Sequence, residues 1–201
     1  MRPTWGPFIK AIQYMADEDP FWSESGLFSA NDHRRMLDHE YLSELAIAYL
    51  HGPQNKKDRL DYYYQLYEER FEDREHVVKT FRKVTAEIEQ LITRLAATRW
   101  KKKSDFYTLF LALAPKEGEF PWSADYRAEI SGRLEEFGAR VDDLLRLVEA
   151  EWETQDQNVV AYARNVARAA SDRANRVTRA DAFSRFVFHG TDGCMRHGPD
   201  L

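Results

Sequence analysis

The chain has 201 residues, 43% of them hydrophobic and 31% charged, with a formal net charge of -5 and a mean hydropathy of -0.65: material for one sizeable core. Its longest apolar stretches, such as 109–114, fall far short of the roughly 18 residues of a membrane-spanning helix, and Met1-Arg2-Pro3-Thr4 opens no signal-peptide core, so a cytoplasmic protein is expected. The single cysteine, Cys194, excludes an internal disulfide and a cysteine-based zinc site, and the acidic balance argues against non-specific coating of nucleic acid.

Phe8, Ile9, Ile12 and Met15 recur at helical spacing and predict a first helix over 7–17, stopped by Pro20. The connector 19–30 carries Phe21, Trp22, Leu27 and Phe28. That is too much aromatic surface to leave in water, so the segment should lie against the bundle. A short helix from Asn31 holds Met36 and Leu37, and Asp38 is the expected N-cap of a longer one. There Leu42, Leu45, Ala46, Tyr49 and Leu50 form one apolar stripe, and Gly52-Pro53 supplies the stop. A further helix is expected over 55–71, burying Leu60, Tyr63, Tyr64, Tyr67 and Phe71. Because Tyr62, Tyr63 and Tyr64 cover most of a turn, at least one ring must face outward.

The strongest periodicity begins near Asp73, where Val77, Phe81, Val84, Ile88, Leu91 and Leu95 alternate steps of four and three. This predicts a long helix ending in Arg94, Arg99 and Lys101-Lys102-Lys103, cations suited to the carbonyl end of a helix dipole. Ser104 then caps a short apolar helix through Phe106, Leu109, Phe110 and Leu113, closed by Pro115, which reads as a buried hydrophobic plug. After a loop, Ser123 caps a second long helix with Ile130, Leu134, Phe137, Val141, Leu144 and Val148 on its seam. Gly132 and Gly138 inside it invite a close backbone contact or a bend. A polar break at 154–157 precedes a helix with Val159, Tyr162, Val166 and Ala169, and Ser171-Asp172 re-caps the chain before Phe183, Phe186 and Val187. No run of alternating β-branched residues and no internal repeat is present. The expectation is an all-α, single-domain, multi-helix bundle over 1–189, with two long helices and several shorter ones, and a disordered tail over 190–201.

Charge is unevenly distributed. Segment 116–158 has twelve acidic residues against five basic ones, whereas 159–189 has six arginines against two aspartates. Two readings stand for Arg164, Arg168, Arg173, Arg176, Arg179 and Arg185: pairing with the acidic helix or solvent, or an anion-contacting face for phosphates, since arginine presents planar bidentate donors. Lys101, Lys102 and Lys103 next to Trp100 form the cation-plus-aromatic pairing used on single-stranded nucleic acid; a solvated helix end explains the same run. The expected phosphate contacts are therefore Arg164, Arg168, Arg173, Arg176, Arg179, Lys101, Lys102 and Lys103. Phe21, Trp22, Leu27 and Phe28, where exposed, would mark a partner-docking surface.

His33, His39 and Glu40 do not make a metal site, because adjacent His39 and Glu40 point about 100° apart on a helix and no HExxH is formed. The glycine-rich phosphate loops and the GxSxG elbow are absent, and Glu135-Glu136 and Asp142-Asp143 read as a solvated face. No catalytic constellation, metal or cofactor is expected.

Several strings, in order, resemble the helical half of the GmrSD-type family, also known as domain of unknown function 262. They are Trp5 to Ile9; Phe28 and Arg35-Met36-Leu37-Asp38-His39-Glu40; Gly52 followed by a basic turn; Lys103-Ser104-Asp105-Phe106-Tyr107-Thr108-Leu109-Phe110; and Ser171-Asp172-Arg173-Ala174-Asn175-Arg176 with Arg179. In that family a ParB/sulfiredoxin-like domain precedes the helices and carries an Asp-Gly-Gln-Gln-Arg motif implicated in nucleotide hydrolysis and DNA cleavage in antiphage restriction. That motif does not occur here, so the resemblance implies a truncated or split family member onto which the family's catalytic residues cannot be carried. The function it implies is a non-catalytic helical module that packs on a ParB-like catalytic domain or subunit and contacts phosphates. The alternatives are a nucleic-acid-binding regulator using the arginine-rich helix, and an enzyme with its site inside the bundle.

Overall fold

A computed structural model describes residues 6–55 and 59–189. Among them the chain is all-α, with ten α-helices, four short 3₁₀ segments and no strand. The tail expected over 190–201 lies outside the described residues.

The first helix, α1 (Pro7–Glu18), places Pro7 at its first position, where no backbone N–H is needed, and buries Phe8, Ala11, Ile12 and Met15. Asp19 ends it and caps α2 (Pro20–Glu24) by accepting from the Phe21 N–H at 3.1 Å. The connector thus contains a helix of its own, and Phe21, Trp22, Leu27 and Phe28 are all in the core. Trp22 meets Phe21 and Phe106 edge-on. These four side chains therefore do not form a docking surface: with their apolar area already removed from water, nothing remains for a partner to cover.

Helix α3 (Ala30–Arg34) opens with a capping box between Ser29 and Asp32. The next helix, α4 (Leu37–His51), starts two residues earlier than an Asp38 cap allows. Met36, at φ +53, is the flanking residue, and Asp38 sits buried in the first turn. The Asp38 carboxylate accepts from the His39 N–H at 2.9 Å and meets the two neighbouring imidazoles, with His33 Nδ1 at 2.6 Å and His39 Nδ1 at 2.9 Å. Gly52, at φ +78, ends α4 where expected.

The helix expected over 55–71 is only α5 (Leu60–Leu66). The chain leaves it at Tyr67 because the backbone of Gly6 packs directly on Tyr67 and Glu68; a Cβ at Gly6 would lie 3.0 Å from Glu68 Cα. That close approach, possible only at glycine, lets Phe8 contact Tyr67 and Phe71 together. Tyr62 is the outward-facing ring of its run.

Two long helices, α6 (Arg74–Leu91) and α8 (Ala124–Leu144), bury the expected seams except at their ends: Leu95 is buried in the turn after α6, and Val148 lies beyond α8 and is exposed, because the helix stops at Leu144. They are clipped together by a bidentate Arg127–Glu87 pair, at 2.6 and 3.0 Å, and by Ser131 Oγ donating to Leu91 O at 2.9 Å. α6 stops at Leu91 rather than running into the lysines. Residues 95–101 form two 3₁₀ turns that swing Arg99 and Trp100 inward, Trp100 against Phe137 and Phe183. Arg99 is therefore a core residue and not a cation at a helix end.

Helix α7 (Lys103–Leu113) begins after Lys102 instead of at a Ser104 cap, and runs through the centre of the bundle with Phe106, Leu109, Phe110 and Leu113 fully buried. Ser123 caps α8, accepting from Tyr126 N–H. α9 (Gln157–Ala167) is capped by Asp156, which accepts from the N–H groups of Asn158 and Val159, and α10 (Arg173–His189) folds back along it. No helix among the described residues is long and apolar enough to cross a membrane.

Candidate functional site

Three residues of α7 each receive one arginine from elsewhere in the chain. Asp105 is fully buried; Arg99 Nη2 donates to its two oxygens at 3.2 and 3.1 Å, and Tyr162 Oη donates to Oδ1 at 2.7 Å. Arg99 Nη1 reaches Asp142 at 2.9 Å. Burial, together with the Asp105 charge, holds the Tyr162 hydroxyl well above the usual tyrosine range, so it remains a donor. Thr108 Oγ1 accepts from Arg179 Nε at 3.3 Å, while Arg179 Nη1 donates to the carbonyls of Asn165 at 2.9 Å and Ala170 at 2.6 Å. Tyr107 lies under Arg176, whose guanidinium stands 4.1 Å from the ring centroid and whose Nη2 donates to Glu44 at 2.8 Å.

These contacts divide the expected phosphate contacts. Arg176 and Arg179 are interior: burial lowers the pKa of Arg179, and for Arg176 burial acts in the same direction but is outweighed by Tyr107 and Glu44. Both are buried, with Arg176 on Glu44 and the Tyr107 ring and Arg179 on Thr108 and two carbonyls, so neither belongs to the exposed surface. In particular, Arg176 pairs with α4 and not with the acidic α8, whose Arg133–Glu129 and Arg140–Glu136 pairs lie within the helix. The surface residues of the set are Arg164, Arg168 and Arg173 around the α9–α10 turn, with Arg168 in an exposed pair with Glu149 at 3.3 Å. The lysines belong to another part of the molecule. Lys101 is exposed, Lys102 approaches Asp142 at 3.6 Å, and Lys103 pairs with Asp32 at 3.2 Å and covers the Phe28 ring. The lysines thus take different partners from these arginines.

At the α9–α10 turn the structure assembles a groove that periodicity could not reveal. Gln54, Asn55, Arg59 and Arg173 line about 520 Å³. Arg173 is placed by two bonds to the loop after α4: its backbone N–H donates to Asn55 Oδ1 at 2.7 Å, and its Nε to Pro53 O at 3.2 Å. Neither bond uses the two terminal guanidinium nitrogens. The turn beneath is held by Asn175 Nδ2, which donates to the carbonyls of Arg168 and Ala169, and by Arg179 from inside. Ala169 adopts φ +46 there, a conformation uncommon for a residue with a Cβ and maintained by these bonds. Among the described residues no carboxylate lines the groove. A larger cleft of about 660 Å³ between 90–100 and α8 carries Arg94 and Arg99 together with Glu135 and Asp142, so its charges compensate one another. Of the groove residues only Arg173 stood out in the sequence; the signal for the others was the basic turn after Gly52.

His33 and His39 both sit on Asp38. Burial by itself would raise that carboxyl, but hydrogen bonds from the two histidines and the His39 N–H outweigh it and hold the group below its ordinary range. Among the described residues no three His, Cys, Asp or Glu side chains are placed to hold one metal ion; Cys194 and His197 lie outside them. No family model, curated protein or solved structure matches the chain.

Proposed function

We propose that this chain is a non-catalytic helical module, of the kind that forms the helical half of GmrSD-type antiphage proteins, which acts beside a ParB-like catalytic domain or subunit and contacts phosphate groups. The observation that carries the phosphate contact is the division of labour along α10. Arg179 fastens the α9–α10 turn from inside and Arg176 ties α10 to Glu44 of α4, which leaves Arg173 on the surface beside Arg59 in a groove that no carboxylate lines among the described residues. Two guanidinium groups held near one concave surface are suited to bidentate contact with phosphate oxygens.

Titration with inorganic polyphosphate at rising salt tests the contact. Affinity should fall steeply between about 50 and about 200 mM, and Arg59→Ala combined with Arg173→Ala should flatten the dependence. An unchanged slope would remove the groove from the reading. The partner is tested separately, by co-expression with the protein of a neighbouring reading frame that carries Asp-Gly-Gln-Gln-Arg. A stoichiometric complex on size exclusion is expected, and two independent peaks would end that half of the proposal.

A further inference from the structure

Resting on the phosphate-contact reading, we infer that the groove and the adjoining face of α5 together bind single-stranded nucleic acid, with Tyr62 as the base-stacking platform. Tyr62 is 55% exposed, in a bundle whose other aromatics are almost all buried or half-buried. It stands three residues after Arg59, a spacing that puts the two side chains on one side of the first turn. Behind it the ring is supported: Tyr62 meets Tyr63 edge-on at 5.2 Å, Tyr63 stacks on His51 at 4.7 Å, and His51 Nε2 lies 2.7 Å from Tyr67 Oη. One face of the aromatic stack is thus anchored in the fold while its outermost ring remains open to solvent.

Continuity with the groove runs through Tyr63. Gln54 and Arg59 line the groove, and the same two residues line the small adjoining hollow that contains Tyr63. Tyr62 lines neither hollow but rests on Tyr63, which lines the second, so a strand along Arg59 and Arg173 reaches Tyr62 by continuing past that ring. Stacking on a protein ring requires a base already free of its neighbours, which a single strand offers and a duplex does not. An acidic peptide would satisfy the arginines, but it has no flat π-face for Tyr62.

The test uses the full chain and a short fluorescein-labelled oligothymidine, followed by anisotropy over the same salt range. The single strand should bind more tightly than its duplex. Tyr62→Ala should weaken binding about tenfold with the salt slope unchanged, and Tyr62→Phe should restore it, since the ring face is what the base uses. An oligomer of abasic sites should lose the same factor against the unaltered protein. Arg59→Ala with Arg173→Ala should lower the slope of log affinity against log salt by about 1.4, roughly 0.7 for each phosphate. Equal binding of duplex and single strand, an unaffected Tyr62→Ala variant, or displacement by polyglutamate as readily as by oligothymidine would each overturn the inference. The double arginine variant would then still report on the phosphate contact by itself, and an unchanged slope there would overturn both. Circular dichroism of the variants checks the fold, which these exposed positions should leave intact.

Discussion

Tyr162 Oη donates to Asp105 Oδ1 at 2.7 Å across 57 residues of chain, on the carboxylate that also receives Arg99. The pair joins α9 to α7, and through Arg99 Nη1 and Asp142 it also joins α8. An ion pair this deeply buried contributes little net stability compared with well-packed apolar residues, but loss of one partner leaves an uncompensated charge. Asp105→Ala should therefore destabilise the fold by about 3–5 kcal/mol in urea unfolding followed by circular dichroism. Arg99→Met combined with Asp105→Leu should cost clearly less than the single change. A double variant as unstable as Asp105→Ala would show that the carboxylate matters for something other than Arg99.

Arg179 serves as a C-terminal cap for α9 supplied by a neighbouring helix, since its Nη1 reaches the carbonyls of Asn165 and Ala170. Lysine keeps the charge but lacks the planar fork that meets Thr108 and the carbonyls at once. Arg179→Lys is expected to cost about 2–3 kcal/mol, from carbonyls left without donors. It should also speed amide hydrogen exchange over 165–172 more than elsewhere. Uniform acceleration across the whole chain would argue against a local clamp.

The two glycines of α8 should respond in opposite ways to substitution. A Cβ at Gly132 meets nothing within 4 Å, so Gly132→Ala should stabilise the protein by about 1 kcal/mol through helix propensity alone. At Gly138 the Cβ position is 3.4 Å from Arg99 Cδ and 3.7 Å from Trp100 Nε1. Gly138→Leu should therefore displace the inward-turned 3₁₀ segment and lower the melting temperature, with a change in Trp100 fluorescence. A Gly138→Leu protein as stable as the parent would mean that Arg99 and Trp100 can move aside without loss.

Strong acid should release the capping box of α3. The Asp32 carboxyl is lowered from 3.8 to about 2, chiefly by the backbone N–H and hydroxyl of Ser29, with burial opposing and Lys103 assisting. A folded pKa below the unfolded one means that the stabilisation is complete above about pH 4 and disappears as pH falls toward 2. NMR titration should give Asp32 a midpoint near 2, with the Ser29 amide shifting in step. A midpoint close to 3.8 would show that the capping box does not persist in solution.

What was legible in the sequence was whatever depends on neighbours three or four residues away. The seams of α6 and α8, the Ser123 cap, the stop at Gly52 and the all-α class are of this kind, because helical spacing aligns such residues on one face whatever the rest of the chain does. The cations after α6 and the long helix over 55–71 failed for one shared reason, and the expected cap at Asp38 for a related one. Each local preference was outweighed by a partner remote in the chain: Asp105 and Asp142 for Arg99, and the Gly6 backbone against Tyr67 and Glu68. Asp38 differs only in that its competing partners, His33 and His39, are close in sequence.

The site divides along the same line. Composition marked 159–189 as rich in arginine, yet six arginines in one segment look alike until burial sorts them. Arg179 is fully enclosed and Arg176 nearly so, whereas Arg173 stays in solvent next to Arg59 from the far side of the chain. Sequence by itself determined how many cations this protein carries and on which helices. Only the packing of α10 between α7 and α9 decided which of them face acceptors inside the protein and which remain available to an outside anion, because burying a guanidinium is tolerated only where carbonyls, hydroxyls or carboxylates meet it, and those acceptors come from other helices.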